Sequence, residues 1–128
     1  MNFKIDTKDF YTVISPNVPH LDENLTASIE KKWTELQPEG NNSLIIDLQD
    51  CKSCAENVMD EMARMHERFY TNEQSLVFTN MQPQVKKQLQ QQKYYDTINV
   101  APTLIEAVDI ISMELLQRDL LGEDEAAE

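Results

Sequence analysis

The sequence predicts an α/β fold: a mixed, mostly parallel sheet of about five strands with four helices, in the order β-β-α-β-α-β-α-β-α. Three observations carry it. Ser43-Leu44-Ile45-Ile46-Asp47-Leu48 is apolar and β-branched without alternation, as a strand buried on both faces must be. Val58, Met62, Met65 and Phe69 then recur at helical spacing with Met59 beside them. Strand-like and helix-like segments go on alternating to the end of the chain, which implies parallel strands joined by right-handed crossovers.

The elements follow in order. Phe3-Lys4-Ile5-Asp6 alternates apolar and polar residues, and Phe10-Tyr11-Thr12-Val13-Ile14 does so more loosely. They read as two strands joined through Thr7-Lys8-Asp9, an antiparallel hairpin at the sheet edge. Pro16 and Pro19 are expected to end the second strand and impose an extended loop. Asp22 is the expected N-cap of a helix whose apolar stripe is Leu25, Ile29, Trp33 and Leu36, and Pro38 and Gly40 stop it. The buried strand 43–49 and a helix over 55–70 come next. Gln74-Ser75-Leu76-Val77-Phe78-Thr79 is another strand. Pro83 opens a short helix with Val85 and Leu89 on its narrow apolar edge and Gln88, Gln90, Gln91 and Gln92 on a solvated face. Thr97-Ile98-Asn99-Val100 is the last strand. Thr103 and Glu106 fit a capping box ahead of Leu104, Val108, Ile111, Leu115 and Leu116, in a helix expected to end near Gly122.

Composition bounds the function. A chain of 128 residues is one domain, here residues 1–121, able to bury about two thirds of its unfolded surface. Glu123-Asp124-Glu125-Ala126-Ala127-Glu128 belongs to an acidic tail, 122–128, expected to be disordered and solubilising. The net charge of −12 repels nucleic-acid phosphate and anionic lipid, and Lys86, Lys87 and Lys93 make only a small basic cluster. No apolar run approaches the ~20 residues of a membrane span. The N-terminus lacks the regions of a signal peptide, so the expected location is cytoplasmic. Cys51 and Cys54 share one short loop, unlike a secreted disulfide framework. No Gly-rich phosphate loop, nucleophile elbow or clustered His/carboxylate set occurs, so no cofactor, metal or enzymatic activity is expected.

With the elements placed, the chain resembles the STAS domain of anti-sigma-factor antagonists and sulphate-transporter tails. Four stretches carry the likeness: Leu21-Asp22-Glu23-Asn24-Leu25, Leu44-Ile45-Ile46-Asp47-Leu48, Val85-Lys86-Lys87-Gln88-Leu89 and Thr103-Leu104-Ile105-Glu106-Ala107-Val108. It spans about residues 2–117 and is specific in the order and spacing of these motifs rather than in any one of them. The resemblance implies a STAS-like, non-catalytic domain that binds an anti-sigma factor or a serine-kinase-type switch protein. In that family a serine or threonine in an Asp-Ser-Ser-Gly-type turn is phosphorylated to break the complex. Counted forward from Asp47, that turn falls on Ala55-Glu56-Asn57-Val58, which has neither hydroxyl nor glycine.

The turn itself, Asp50-Cys51-Lys52-Ser53-Cys54-Ala55-Glu56, runs from a central strand into a helix N-terminus, where free N–H groups and the helix dipole converge. A fixed Glu56 there either holds a phosphorylated-like state with one negative charge or caps the helix. Ser53 and Glu56 have capping-box spacing, and Ser53 is also the candidate for a shifted phosphoacceptor. The partner-binding surface is expected on the turn from Asp50 through Lys52, Ser53, Glu56 and Asn57, with the facing loop Asn17–Asn24, including Asp22 and Asn24, and the exposed side of the 55–70 helix.

The alternative is a thiol-disulfide redox protein. Cys51-Lys52-Ser53-Cys54 is a C-x-x-C at a strand-to-helix turn, and Ala101-Pro102-Thr103 resembles the proline loop facing such sites in thioredoxin-like folds. That reading requires a lowered thiol pKa and a strand after the proline, whereas Glu106 and Asp109 place residues 104–111 in a helix. Zinc is weaker still: His20 and His66, the two histidines, form no close-spaced ligand pair to complement the cysteines.

Overall fold

The computed structural model describes residues 3–36, 43–92 and 96–127, with side chains up to residue 120. Its main sheet is five-stranded, in the order β1-β2-β4-β6-β7, with β1 Phe3–Thr7, β2 Thr12–Pro16, β4 Ser43–Asp47, β6 Ser75–Thr79 and β7 Val100–Ala101. β1 pairs antiparallel to β2, from Phe3 opposite Pro16 to Thr7 opposite Thr12, and is the expected hairpin edge. The remaining strands are parallel, with Ile14 beside Ile46, Ile46 beside Phe78, and Phe78 beside Val100. Two short strands, β3 His20–Leu21 and β5 Ser53–Cys54, form a separate parallel pair.

The four helices are α1 Glu23–Leu36, α2 Glu56–Thr71, α3 Pro83–Gln91 and α4 Leu104–Ala127. Local chemistry sets their starts. The Asp22 carboxylate accepts the Leu25 N–H at 2.9 Å and caps α1. Pro83 occupies the first turn of α3, where its missing N–H leaves no bond unmade. The Thr103 hydroxyl accepts the Glu106 N–H at 3.3 Å, the first half of the expected box, but the Glu106 carboxylate meets the Thr103 hydroxyl at 3.3 Å rather than reaching back to the Thr103 backbone N–H. The expected stop at Pro38 and Gly40 lies outside the described residues.

Strand pleating divides the core in two, because successive side chains point to opposite faces. Ile14, Leu44, Ile46, Leu48, Leu76 and Phe78 face α1, α2 and α3, whose Leu25, Ile29, Trp33, Val58, Met59, Met62, Met65, Phe69, Val85 and Leu89 close over them. Val13, Ile45, Val77 and Ala101 face α4.

Five expectations are corrected. The second strand is Thr12–Pro16, not Phe10–Ile14, and it closes on Pro16 opposite Phe3, since a proline is tolerated at the end of a strand. The last strand lies at Val100–Ala101, not Thr97–Val100, although the Asn99 carbonyl still accepts the Phe78 N–H at 2.9 Å. The buried edge of α4 is Ala107 and Ile111, with Val108 and Leu115 partly buried, while Leu104 and Leu116 face solvent. The small Ala107 lets the helix lie close on the sheet. α4 also runs past Gly122 to Ala127, since a lone glycine costs a helix about 1 kcal/mol and no proline follows it. Finally, the 50–56 segment is no simple turn, as it contains β5.

Candidate functional site

Beyond the carboxyl ends of β2 and β4, where parallel sheets place their sites, two loops are tied together. Pro19 has no N–H to give, but its carbonyl accepts the N–H groups of Lys52 at 2.8 Å and Ser53 at 3.2 Å. The Leu21 carbonyl accepts the Ala55 N–H at 2.8 Å. Leu21 and Cys54 turn inward to the core from the two short strands and anchor them. Side chains add two links on the outer surface. His20 Nδ1 lies 2.8 Å from Ser53 Oγ, and Asn57 Nδ2 donates to Glu23 Oε2 at 2.9 Å.

The turn is held from its other side as well. Asp47 accepts the N–H of Gln49 at 3.0 Å and the amide of Asn80 at 3.2 Å. The Leu48 N–H donates to the Thr79 carbonyl, and the Leu48 carbonyl accepts from Cys51. Gln88 of α3 reaches Cys54, donating to its carbonyl at 3.4 Å. It departs from the solvated glutamine face expected of it.

Asp50, Lys52, Glu56 and Asn57 are exposed on the turn, and Asn24 is exposed on the first turn of α1. These residues belong to one surface, because the β3–β5 pair joins the two loops. Asp22 is half-buried with its carboxylate engaged as the cap, so it shapes the surface rather than presenting a free acid. Ser53 is half-buried and does not cap α2. Ala55 holds the N-cap position, no side chain caps it, and Ser53 is committed to His20 instead. The capping-box reading of Ser53 and Glu56 is therefore wrong, and Glu56 sits exposed in the first turn of α2, where its charge complements the helix dipole.

Cys51 and Cys54 are both free and buried. Burial pushes the Cys51 thiol up to about 11, and the neighbouring Asp50, Cys54 and Asp47 push it in the same direction. Burial raises Cys54 too, and its Sγ lies 3.6 Å from Gln88 Oε1. The redox reading required the opposite shift. Residues 104–111 are helical rather than extended, which removes its second requirement.

Sequence reasoning missed Asn80 and Gln88 as parts of this corner, and reached His20 and Glu23 only as members of the loop Asn17–Asn24, without their bonds to Ser53 and Asn57. Nothing in the local sequence points to a partner more than thirty residues away.

No protein-family model and no curated protein matches this chain. Solved structures do. The anti-sigma factor antagonist SpoIIAA in its unphosphorylated form superposes with a TM-score of 0.65 at 17% identity, covering 87% of this chain and 96% of that one. A serine-to-glutamate variant of RsbS from Moorella thermoacetica gives 0.65 at 17% identity, covering 92% and 99%. An anti-sigma factor antagonist from Mycobacterium paratuberculosis gives 0.66 at 15% identity, covering 87% and 93%. At such identities the likeness is one of fold, and it agrees with the order of the motifs: this chain folds as a STAS domain.

Proposed function

We propose that this protein is a non-catalytic partner-switching module that docks on an anti-sigma factor or a serine-kinase-type switch protein. The docking surface is the turn Asp50–Asn57 with the loop Asn17–Asn24 and the exposed side of α2. One observation carries the reading: the β3–β5 pair locks those two loops into a continuous, preorganised surface. Preorganisation lowers the ordering cost of association. Exposed Asp50, Glu56 and Asn57 stand on this surface with a single cation, Lys52, among the turn residues, so the complementary partner face is basic. The neighbours of like fold include a glutamate substitution for serine in RsbS and both the phosphorylated and unphosphorylated forms of SpoIIAA. Phosphate gating on this chain falls to Ser53, whose hydroxyl lies 2.8 Å from His20 Nδ1.

The test uses the full chain as bait in extract from its native cell, with an Asn57→Arg variant beside it. The wild type retains a protein of the kinase or anti-sigma class, and the variant loses it. Equal retention by both, or no such protein, overturns the reading. Incubation with a cognate serine kinase and ATP, followed by intact mass, tests the gate separately. The gain of one phosphate, abolished in Ser53→Ala, is the expected result, and no gain rules the gate out.

A further inference from the structure

A second concave site lies between α2, β6 and α4, against the amino end of β6 and away from the docking corner. It is a cavity of about 450 Å³, with His66 and Tyr70 of α2, Leu76 of β6, Asn99, and Glu114 and Arg118 of α4 in its lining. Its charge arrangement is unusual for so acidic a chain. Arg64 and Arg68 each meet a carboxylate, whereas Arg118 is the arginine without one among the described residues. Its Nη2 donates to the neutral Ser75 hydroxyl at 3.0 Å.

The obvious partner is one turn away. Glu114 and Arg118 stand at i and i+4 with the acid first, the orientation that favours an ion pair on a helix. Here Asn99 intercepts the acid, donating through Nδ2 to Glu114 Oε2 at 3.0 Å. The guanidinium has five N–H donors in a planar fork suited to an oxyanion, and among the described residues its hydrogen bond is the one to Ser75. On the α2 wall of the same cavity, Nδ1 of His66 is buried and has no hydrogen-bond partner among the described residues. A buried polar atom without a partner is costly unless something answers it. Leu76 supplies an apolar wall and Tyr70 an exposed ring at the mouth.

From this geometry we infer a binding site for a small organic monocarboxylate, its carboxylate on Arg118 and its apolar body against Leu76 and Tyr70. Glu73 and Glu114 also line the cavity, and their negative charge selects against dianions. The inference does not depend on the docking surface proposed above.

A backbone-amide NMR titration of the full chain with benzoate, benzamide and inorganic phosphate tests it. Benzoate shifts Asn99, Gln117 and Arg118, while the neutral isostere benzamide and phosphate do so only at far higher concentration. Arg118→Gln weakens benzoate by about tenfold or more, as loss of a charged hydrogen-bonding partner implies. Glu114→Gln keeps an acceptor for Asn99 but removes a repelling charge, and so tightens benzoate. That gain separates a binding role from a structural one even if Arg118→Gln folds poorly. Benzamide or phosphate matching benzoate, benzoate affinity unchanged in Arg118→Gln, or no tightening in Glu114→Gln overturns the assignment.

Discussion

On one face of the sheet Ile46, Leu48 and Phe78 lie beneath three helices; on the other, Ile45, Val77 and Val13 lie beneath α4 alone. The residues differ little in kind, and both sets are buried. What differs is the layer above them. The thick side is closed by interlocked methionines, Trp33 and Phe69, the last two with ring centroids 5.8 Å apart. It also carries α1 and α2, whose amino ends frame the corner built by the β3–β5 pair. The thin side is a single helix seated through Ala107 and Ile111, with Ile105, Met113 and Leu116 facing solvent. The corner proposed to dock a partner therefore rests on the side of the sheet that three helices close.

The sharpest way to break this comparison is one substitution made on each side of one strand. Ile45 and Ile46 are adjacent in β4, both buried, and point opposite ways. Ile→Ala in a core costs about 2–5 kcal/mol, depending on how far the surroundings collapse into the cavity. Ile46→Ala is expected near the top of that range, since three helices brace one another around it. Ile45→Ala is expected near the bottom, because α4 is free to settle. Urea denaturation of the two variants decides the matter, and equal costs would mean that the layers are equally rigid.

Next in size is an alkaline effect confined to the thick side. Cys51 titrates at about 11 in the fold against an ordinary thiol value of 9.0. The folded state thus favours the neutral thiol. That contribution is fully present below pH 9 and is lost as pH rises from about 9 through about 11, on the order of 2 kcal/mol in all. Cys51→Ala makes the stability profile shallower across this window, with the raised Cys54 thiol leaving a residual slope of the same sign. The same buried thiol resists alkylation in the native state at neutral pH, and rapid native-state labelling would contradict its placement.

The sequence made some parts of this architecture legible because their signals are local. Leu44-Ile45-Ile46 lacks alternation since both faces are covered, and Asp22, Pro83 and Thr103 mark helix starts by chemistry within one turn. The β3–β5 pair left no such mark. Two-residue strands have no period, and their pairing joins His20 to Ser53 across the chain. The same distant bond defeated the capping-box reading, since a hydroxyl committed to His20 is not available to α2. In α4 the eye follows leucines, yet contact with the sheet is made through Ala107, a residue that hydropathy hardly distinguishes from a spacer.

Smaller effects test whether the links around the thick side matter beyond its core. Asp22→Ala removes the α1 cap and is expected to cost about 1 kcal/mol, while Asp22→Asn, which still accepts the Leu25 N–H, recovers most of it. The smallest effect is expected at Arg68. Its guanidinium joins α1 to α2, meeting Glu30 through Nε at 2.9 Å and Nη2 at 2.6 Å, and Glu61 at 2.8 Å. The hydrogen bond to Glu30 leads the influences that raise the Arg68 pKa. However, the side chain is 43% exposed, so water and salt screen the network. Arg68→Gln is therefore expected to cost under about 1 kcal/mol, and less still in high salt. A larger, salt-insensitive loss would show that these carboxylates bind the two helices together more firmly than the apolar layer beneath them does.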